Sequence, residues 1–285
     1  MTTFTTLFAF GDSLSDAGNL YYADLGTAPV SPPYYHGHFS NGPTWVEDLS
    51  EMLGLGTLSP SLKDGNDFAF GGAQTGTTAI EGHNPIDLPT QILDYAILHR
   101  APVPGSLYTF DIGANDIINA LSEYAAGKIT LAGVGTVVTE AEQNTVHAVH
   151  ALYTLGARDL LFYEVPNLGL TPLFDGTPLQ GLASRLALSF DKTVLTDLGP
   201  MDHAGLKVFD LNTYDLLGKV EAHPRYYGFK NVSDPVWTGN YTNPNSGMLV
   251  SPNPAVQNKY LFWDELHPTA AGHQLTAHFA YHLLV

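Results

Sequence analysis

The stretch from Thr5 to Asp16 decides the fold of this chain, and it reads Thr-Thr-Leu-Phe-Ala-Phe-Gly-Asp-Ser-Leu-Ser-Asp. Its first six residues form a β-favouring apolar run that stops at Gly11, which is typical of a buried strand followed by a turn. Glycine permits a sharp turn, which would leave Ser13 exposed at the sheet edge with its amide free to donate. The stretch therefore predicts a first strand that delivers a serine to the edge of a sheet.

Short apolar runs alternate with longer amphipathic stretches along the rest of the chain. Further strands are predicted at Asp67–Phe70, Ser106–Ile112, Arg158–Tyr163 and Leu206–Leu211. Helices are predicted at Pro43–Leu53, Leu88–His99, Thr130–Leu155, Pro178–Leu198 and His267–Leu284. This alternation favours an α/β fold with a parallel sheet covered by helices on both faces. Because no composition shift marks a linker, we expect residues 1–285 to form one domain.

Three glycine-rich turns follow predicted strands, and the carboxyl ends of parallel strands are where open α/β sheets place their binding sites. The stretch 231–258 is rich in Pro, Asn, Gly and Ser, and we expect it to be a long loop. Long loops in compact domains are often functional, so this one is a candidate lid or specificity wall. The functional site is therefore expected at one edge of the sheet.

Composition excludes several classes of function. The 285 residues contain no cysteine, which removes disulfide scaffolds, thiolate metal sites and cysteine nucleophiles. The formal net charge of −17 would repel nucleic acids and anionic membranes. No segment reaches the roughly 20 apolar residues that span a bilayer, so we expect no stable membrane insertion. The first residues, Met-Thr-Thr-Phe, show no basic region followed by an apolar run, so no signal peptide is expected there.

A serine hydroxyl is a weak nucleophile that needs a base within hydrogen-bond reach. Near the other end of the chain, Asp264 and His267 stand three residues apart ahead of a predicted helix. This spacing lets one loop present the imidazole while the carboxylate turns back onto its Nδ1. The alternative for this pair is an acidic helix N-terminus with an incidental histidine, and for Ser13 it is a helix cap.

A serine, a histidine and an aspartate that act together could hydrolyse an ester. That reaction also needs hydrogen-bond donors aimed at the developing oxyanion. Gly72 can offer a backbone amide, and Asn115 can offer a side-chain amide after the third predicted strand. Each also has an ordinary explanation, since paired glycines often turn a chain and asparagine often caps a helix. The usual G-x-S-x-G elbow of α/β-hydrolases is absent from the sequence.

Four blocks occur in order along nearly the whole chain: FAFGDSLSDAGN at 8–19, FAFGGAQTG at 68–76, GANDI at 113–117 and WDELHPT at 263–269. With the segments 32–42, 165–169 and 224–229, they resemble the GDSL lipase/esterase family of the SGNH hydrolase superfamily. Within it, the chain is similar to the lecithinase/haemolysin-like branch. Two departures stand out: Asp67 replaces the usual asparagine of the second block, and Pro235 follows where many relatives carry a cysteine.

The resemblance implies a three-layer α/β/α sandwich around a flavodoxin-like, five-stranded parallel sheet. It implies Ser13 as nucleophile and backbone oxyanion donor, and Gly72 and Asn115 as further oxyanion donors. His267 would be the general base and Asp264 the residue that orients it. The implied reaction is ester hydrolysis through an acyl-enzyme, with no metal or organic cofactor. A secreted or periplasmic location is also typical of the family.

The substrate is less constrained than the chemistry. We expect a small-molecule or lipid ester, with acyl-chain esters favoured, because several aromatic side chains could line a cleft beside Ser13: Tyr21, Tyr22, Tyr34, Tyr35, Phe39, Trp237 and Tyr241. Aromatic rings also suit sugar faces, so an acetylesterase on decorated polysaccharide is an alternative. A phospholipase or acyltransferase is another, and a non-catalytic binding module on the same scaffold is the alternative from a different class.

Overall fold

The central feature of the computed structural model is a parallel sheet. The structure describes residues 4–76 and 86–285, without the side chains of residues 202 and 203. Within these residues the sheet has four strands, in the order β1-β2-β3-β4. They are β1 (Thr6–Gly11), β2 (Ser106–Asp111), β3 (Asp159–Tyr163) and β4 (Lys207–Leu211). The register aligns Phe10, Phe110 and Phe162 across the sheet. The prediction of a parallel sheet from these runs is confirmed.

The helices connect and cover these strands. In chain order they are α1 (Asn19–Ala23), α2 (Trp45–Met52), α3 (Leu88–Leu98), α4 (Ala114–Ala125), α5 (Leu131–Thr154), α6 (Gln180–His203), α7 (Thr213–Ala222), α8 (Pro254–Gln257) and α9 (Ala270–Leu284). No helix in residues 4–76 and 86–285 combines the length and apolar content that crossing a bilayer requires.

The two faces of the sheet bury different sets of side chains, because successive residues of a strand point to opposite sides. Phe8 and Phe10 belong to a core that includes residues of α3, α4, α5 and α6. Leu7 and Ala9 belong to a second core, with residues of α2 and α9. Helices therefore cover both faces, as the sequence predicted.

The second predicted strand, Asp67–Phe70, is not a regular strand in the structure. The segment runs beside β1, with hydrogen bonds from Phe68 N to Ala9 O (2.7 Å) and from Phe70 N to Gly11 O (3.1 Å), but forms only an isolated bridge to β1. On its other side the amide of Asn19 donates to the carbonyls of Asp67 and Ala69. The regular sheet thus has four strands, with this segment at the edge position that a flavodoxin-like order assigns to a second strand.

The region before the C-terminal helix also differs from the prediction. The expected long loop 231–258 begins with a strand, β5 (Asn231–Pro235), which pairs in parallel with β6 (Tyr260–Phe262), and it contains α8 near its end. The last helix begins at Ala270 rather than His267, because the Thr269 side chain caps it by accepting from Gly272 N. His267 is therefore a loop residue held just ahead of α9.

Candidate active site

The turn after β1 places Ser13 at the carboxyl edge of the sheet. Gly11 has a φ of +151°, and a Cβ at this position would lie 2.1 Å from the carbonyl oxygen of Asp111 at the end of β2. Only glycine fits so close to the neighbouring strand. Ser13 itself is 6% exposed. The turn therefore presents the hydroxyl inside a sheltered cleft rather than on the open surface that the sequence suggested.

A line of short hydrogen bonds joins Ser13, His267 and Asp264. Nε2 of His267 lies 2.8 Å from Oγ of Ser13. Nδ1 of the same ring lies 2.8 Å from Oδ2 and 2.9 Å from Oδ1 of Asp264. Because an ionised carboxylate only accepts, Nδ1 carries the proton and Nε2 accepts from the serine hydroxyl. The structure brings together the three residues that the sequence singled out at opposite ends of the chain.

Asp264 is surrounded by donors. Its Oδ1 accepts from the backbone amides of Leu266 (2.9 Å) and His267 (2.8 Å), and its Oδ2 accepts from the hydroxyl of Tyr34 (2.7 Å). Burial by itself raises the pKa of Asp264, but the charge of His267 and the hydrogen bonds from His267 and Tyr34 outweigh it. The pKa therefore lies below its usual value, and the carboxylate beside the imidazole is ionised.

The backbone amides of Ser13 and Gly72 donate no hydrogen bond within the described part of the chain. Gly72 has a φ of +81°, in the left-handed region that favours glycine. The side-chain amide of Asn115 is engaged at rest: its Nδ2 donates to Ala73 O at 2.9 Å and, weakly, to Asp12 Oδ2 at 3.3 Å.

Acidic side chains around the site are deeply buried. An acidic residue beside a glycine turn is usually a helix cap or a solvated end, yet Asp12, Asp16 and Asp116 are each 2% exposed or less. Asp16 does accept from the first amides of α1 and also from Gly71 N at 2.7 Å, which ties the turn before Gly72 to the turn of Ser13. Burial, and then the charge of Asp111, raise the pKa of Asp12 well above its usual range.

Asp67, which departs from the family pattern, holds the same turns together. Its Oδ2 accepts from Ala17 N at 2.6 Å and its Oδ1 from Ala69 N at 2.9 Å. Both carboxylate oxygens are thus used by backbone donors. The carboxylate shapes the turn without touching Ser13.

Two cavities flank the Ser13–His267 pair. The apolar cavity has a volume of about 60 Å³, is reached from Ser13 and Asn115, and is walled by Leu216, Leu217, Val220, Leu261, Phe262 and Leu275. The open cavity lies beside Asp264 and His267 and is walled by Tyr34, Thr238, Asn240, Tyr241 and Ser246. Leu266 lines both.

The aromatic side chains proposed for a cleft divide into two groups. The Phe39 ring packs on the His267 ring at 5.0 Å between centroids, and Tyr241 packs on Phe39 at 5.3 Å. Trp237 is buried beside Trp263, in a cluster that also contains Tyr34. Phe39, Tyr34 and Tyr241 therefore lie at the site, and sequence reasoning missed the bond from Tyr34 to Asp264.

The match to known sequences agrees with this arrangement. Residues 7–280 match the sequence model of the GDSL-like lipase/acylhydrolase family. The chain belongs to this family, which confirms the resemblance seen in its motifs.

The sequence can be compared with those of several relatives. The chain is 32% identical to esterase EstA of Pseudomonas aeruginosa, over 99% of this chain and 47% of EstA. It is 26% identical to GDSL esterase/lipase 6 of Arabidopsis thaliana, over 96% of this chain and 85% of that protein. An uncharacterised protein from Pseudomonas putida is also 32% identical, and the chain spans 48% of it. The chain thus spans about half the length of these Pseudomonas relatives.

Among solved structures, Axe2, an acetylxylan esterase from Geobacillus stearothermophilus, has a TM-score of 0.53 at 15% identity. The match covers 100% of this chain and 96% of that chain. The likeness is one of fold.

Proposed function

We propose that this protein hydrolyses carboxylic esters through a catalytic triad of Ser13, His267 and Asp264, with acyl-chain esters as its substrates. One observation carries the proposal: 2.8 Å separates Ser13 Oγ from His267 Nε2, and 2.8 Å separates His267 Nδ1 from Asp264 Oδ2. A nucleophile, a base and a carboxylate that orients the base are thus connected in the order that acyl transfer needs. Membership of the family supports the same chemistry.

In the first half of the reaction, Oγ of Ser13 attacks the ester carbonyl carbon while Nε2 of His267 takes the hydroxyl proton. Asp264 stabilises the imidazolium that forms, without taking the proton itself. The tetrahedral intermediate collapses when its bond to the alcohol oxygen breaks. His267 gives its proton to that oxygen, the alcohol leaves, and the acyl group remains on Ser13.

In the second half, water replaces the alcohol. His267 takes a proton from the water as its oxygen attacks the acyl carbon, and a second tetrahedral intermediate forms. When the bond to Oγ breaks, His267 returns the proton to Ser13 and the carboxylic acid is released. The triad ends as it began, so no other reactant is required.

The negative charge of each intermediate needs donors fixed in advance. We assign this role to the amides of Ser13 and Gly72 and to the side chain of Asn115. The two backbone amides support the assignment because they have no acceptor within residues 4–76 and 86–285. Asn115 supports it because its bond to Asp12, at 3.3 Å, is long enough to be exchanged for a charged acceptor.

The apolar cavity beside Ser13 supports the choice of acyl-chain esters. Its walls are leucine, valine and phenylalanine side chains, which favour an alkyl chain over a hydroxylated sugar. Phe39 and Tyr241 stand on the other side, against His267.

The test compares ester hydrolysis by the native protein with that by Ser13→Ala and Ser15→Ala. Ser15 lies in the same turn and serves as the matched control. Its hydroxyl donates a hydrogen bond to Asp111. We expect Ser13→Ala to lower kcat/KM for p-nitrophenyl butanoate by about 10⁴-fold or more, and Ser15→Ala to retain hydrolysis. Full activity in folded Ser13→Ala contradicts the mechanism. Hydrolysis of acetylated xylan, without hydrolysis of phosphatidylcholine or longer p-nitrophenyl esters, contradicts the substrate class.

A further inference from the structure

The two cavities at the site touch different members of the triad. Ser13 and Asn115 line the apolar cavity and His267 does not, whereas His267 and Asp264 line the open cavity and Ser13 does not. Leu266 is the residue at which they meet, and its backbone is fixed by the hydrogen bond from its amide to Asp264 Oδ1 (2.9 Å). An ester bound at Ser13 would have one cavity on each side of its carbonyl group.

The chemistry of the proposed reaction distinguishes these sides. The acyl group stays bonded to Ser13 Oγ after the alcohol has left, so we place the acyl chain in the cavity that Ser13 lines. The alcohol oxygen must receive its proton from Nε2 of His267, so the alcohol must lie on the histidine side. The two halves of the substrate therefore have different neighbours before any contact with the cavity walls is considered.

We propose that the apolar cavity is the acyl-chain subsite, with Val220 setting its length limit, and that the open cavity receives the alcohol, with Leu266 dividing the two. This inference rests on the proposed function and deepens it. Acyl selectivity is then strict, because the chain lies against the apolar walls of a small cavity. Alcohol selectivity is loose, because the other side faces an open cleft.

The apolar cavity is small. Its volume of about 60 Å³ holds a few water-sized groups. Its inner surface is mainly aliphatic, so each buried methylene group of the acyl chain stabilises the bound ester.

Val220 is placed to limit the length of this chain. Helix α7 begins at Thr213, directly after the carboxyl end of β4, and both Thr213 and Val220 line the apolar cavity. Seven residues of helix place Val220 about 10 Å further from the sheet edge than Thr213. Val220 is 1% exposed, so a larger side chain there must enter the cavity or displace its walls.

The open cavity offers different chemistry. Thr238, Asn240, Tyr241 and Ser246 supply hydroxyl and amide groups along a surface stretch before β6. Tyr241 is 44% exposed and packs on Phe39, which in turn covers His267. A polar alcohol such as glycerol, or a larger headgroup, can lie here without entering the apolar core.

The test measures kcat/KM for p-nitrophenyl acetate, butanoate, hexanoate and octanoate with Val220→Trp, Val220→Ala and Lys219→Trp. Lys219 is the neighbouring exposed residue of α7 and carries the same bulky substitution as a control. We expect Val220→Trp to lower the octanoate-to-acetate ratio by about tenfold or more, as expected when a pocket loses room for methylene groups. We expect Lys219→Trp to leave the ratio unchanged, and Val220→Ala to raise it.

The outcomes separate this inference from the proposed function. If Val220→Trp folds and its acyl ratio is that of the native protein, the subsite assignment is overturned. If Val220→Trp does not fold, Val220→Ala decides, and an unchanged ratio overturns the assignment equally. A change in the ratio of glyceryl to methyl octanoate with a constant acyl ratio would mean that the two sides are reversed. Loss of the inference leaves ester hydrolysis and its dependence on Ser13 intact, whereas unaltered hydrolysis in Ser13→Ala removes the proposed function itself.

Discussion

The hydroxyl of Tyr34 donates a 2.7 Å hydrogen bond to Oδ2 of Asp264, across 230 residues of sequence. The same oxygen lies 2.8 Å from Nδ1 of His267. Tyr34 is 3% exposed, so water does not compete for this bond. Tyr34 thus holds the carboxylate of Asp264 in place, and this carboxylate holds the imidazole of His267. In the proposed reaction Tyr34 is therefore a positioning residue.

Replacing Tyr34 tests this role. Hydrogen bonds to charged groups contribute about 1.5–3 kcal/mol, so we expect Tyr34→Phe to lower kcat by roughly tenfold or more, with a smaller change in KM. Tyr35→Phe is the matched control, because Tyr35 is half-exposed and next in sequence. Steady-state kinetics on one ester check the prediction. Equal kcat values for the two variants would contradict the positioning role of Tyr34.

Replacing the carboxylate should have a larger effect. In Asp264→Asn one acceptor becomes an amide donor facing Nδ1, which favours the tautomer that cannot accept the Ser13 proton. We expect kcat to fall by about 10⁴-fold. Glu265→Gln, which removes an exposed charge next to it, should change kcat little. A fall of less than tenfold in Asp264→Asn would show that the carboxylate does not hold the tautomer.

If Asn115 donates to the oxyanion, removing its side chain should slow the chemical step and leave substrate binding unchanged. We expect Asn115→Ala to lower kcat by about 10²–10³-fold with little change in KM, as is usual when one oxyanion donor is removed. Asn119→Ala, one turn further along α4, is the control. Single-turnover kinetics separate chemistry from product release. A raised KM at constant kcat would indicate substrate binding instead.

Buried carboxyl groups predict a dependence of stability on pH. Burial raises the pKa of Asp111 to about 7 and that of Asp116 to about 7, so the folded protein keeps protons that the unfolded chain has released. When the folded state binds more protons, the free energy of unfolding falls as pH rises, here from about pH 4 through pH 7. His273, whose pKa burial lowers to about 3, acts in the opposite sense, but only as pH falls below its ordinary value of 6.5.

We therefore expect a higher Tm at pH 6 than at pH 8, measured by calorimetry. Asp111→Asn should reduce this difference, because it removes one of the groups that titrate in the interval. Asp175→Asn, at an exposed position before α6, should leave it unchanged. A Tm that rises from pH 6 to pH 8 would contradict the direction of the raised pKa values.

The sequence predicted the parts of the site that depend on local pattern. The apolar run that ends at Gly11 identified β1 and the serine turn, and the spacing of Asp264 and His267 identified the pair that lies beside Ser13 in the structure. The strands of the sheet were also predicted, because buried parallel strands are short continuous apolar runs.

Contacts between distant segments could not be predicted in the same way. The bond from Tyr34 to Asp264 and the burial of Asp12 depend on loops that meet only in the folded chain. Helix α4 was missed because the GANDI block was interpreted as a turn, although Ile117, Ala120 and Leu121 have helical spacing. The segment 67–70 was predicted as a strand because it has the pattern of one. That pattern does not show that the side chain of Asn19 hydrogen-bonds to the outer edge of the segment.

The most direct test of the central claim is the position of a covalent adduct. The native protein is treated with an alkyl p-nitrophenyl phosphonate, digested and analysed by mass spectrometry, alongside Ser13→Ala and His267→Ala. The account predicts one adduct, on the peptide that contains Ser13, which is absent in Ser13→Ala and forms far more slowly in His267→Ala. An adduct on a different residue, or continued ester hydrolysis by a protein that takes up no phosphonate at Ser13, would contradict it.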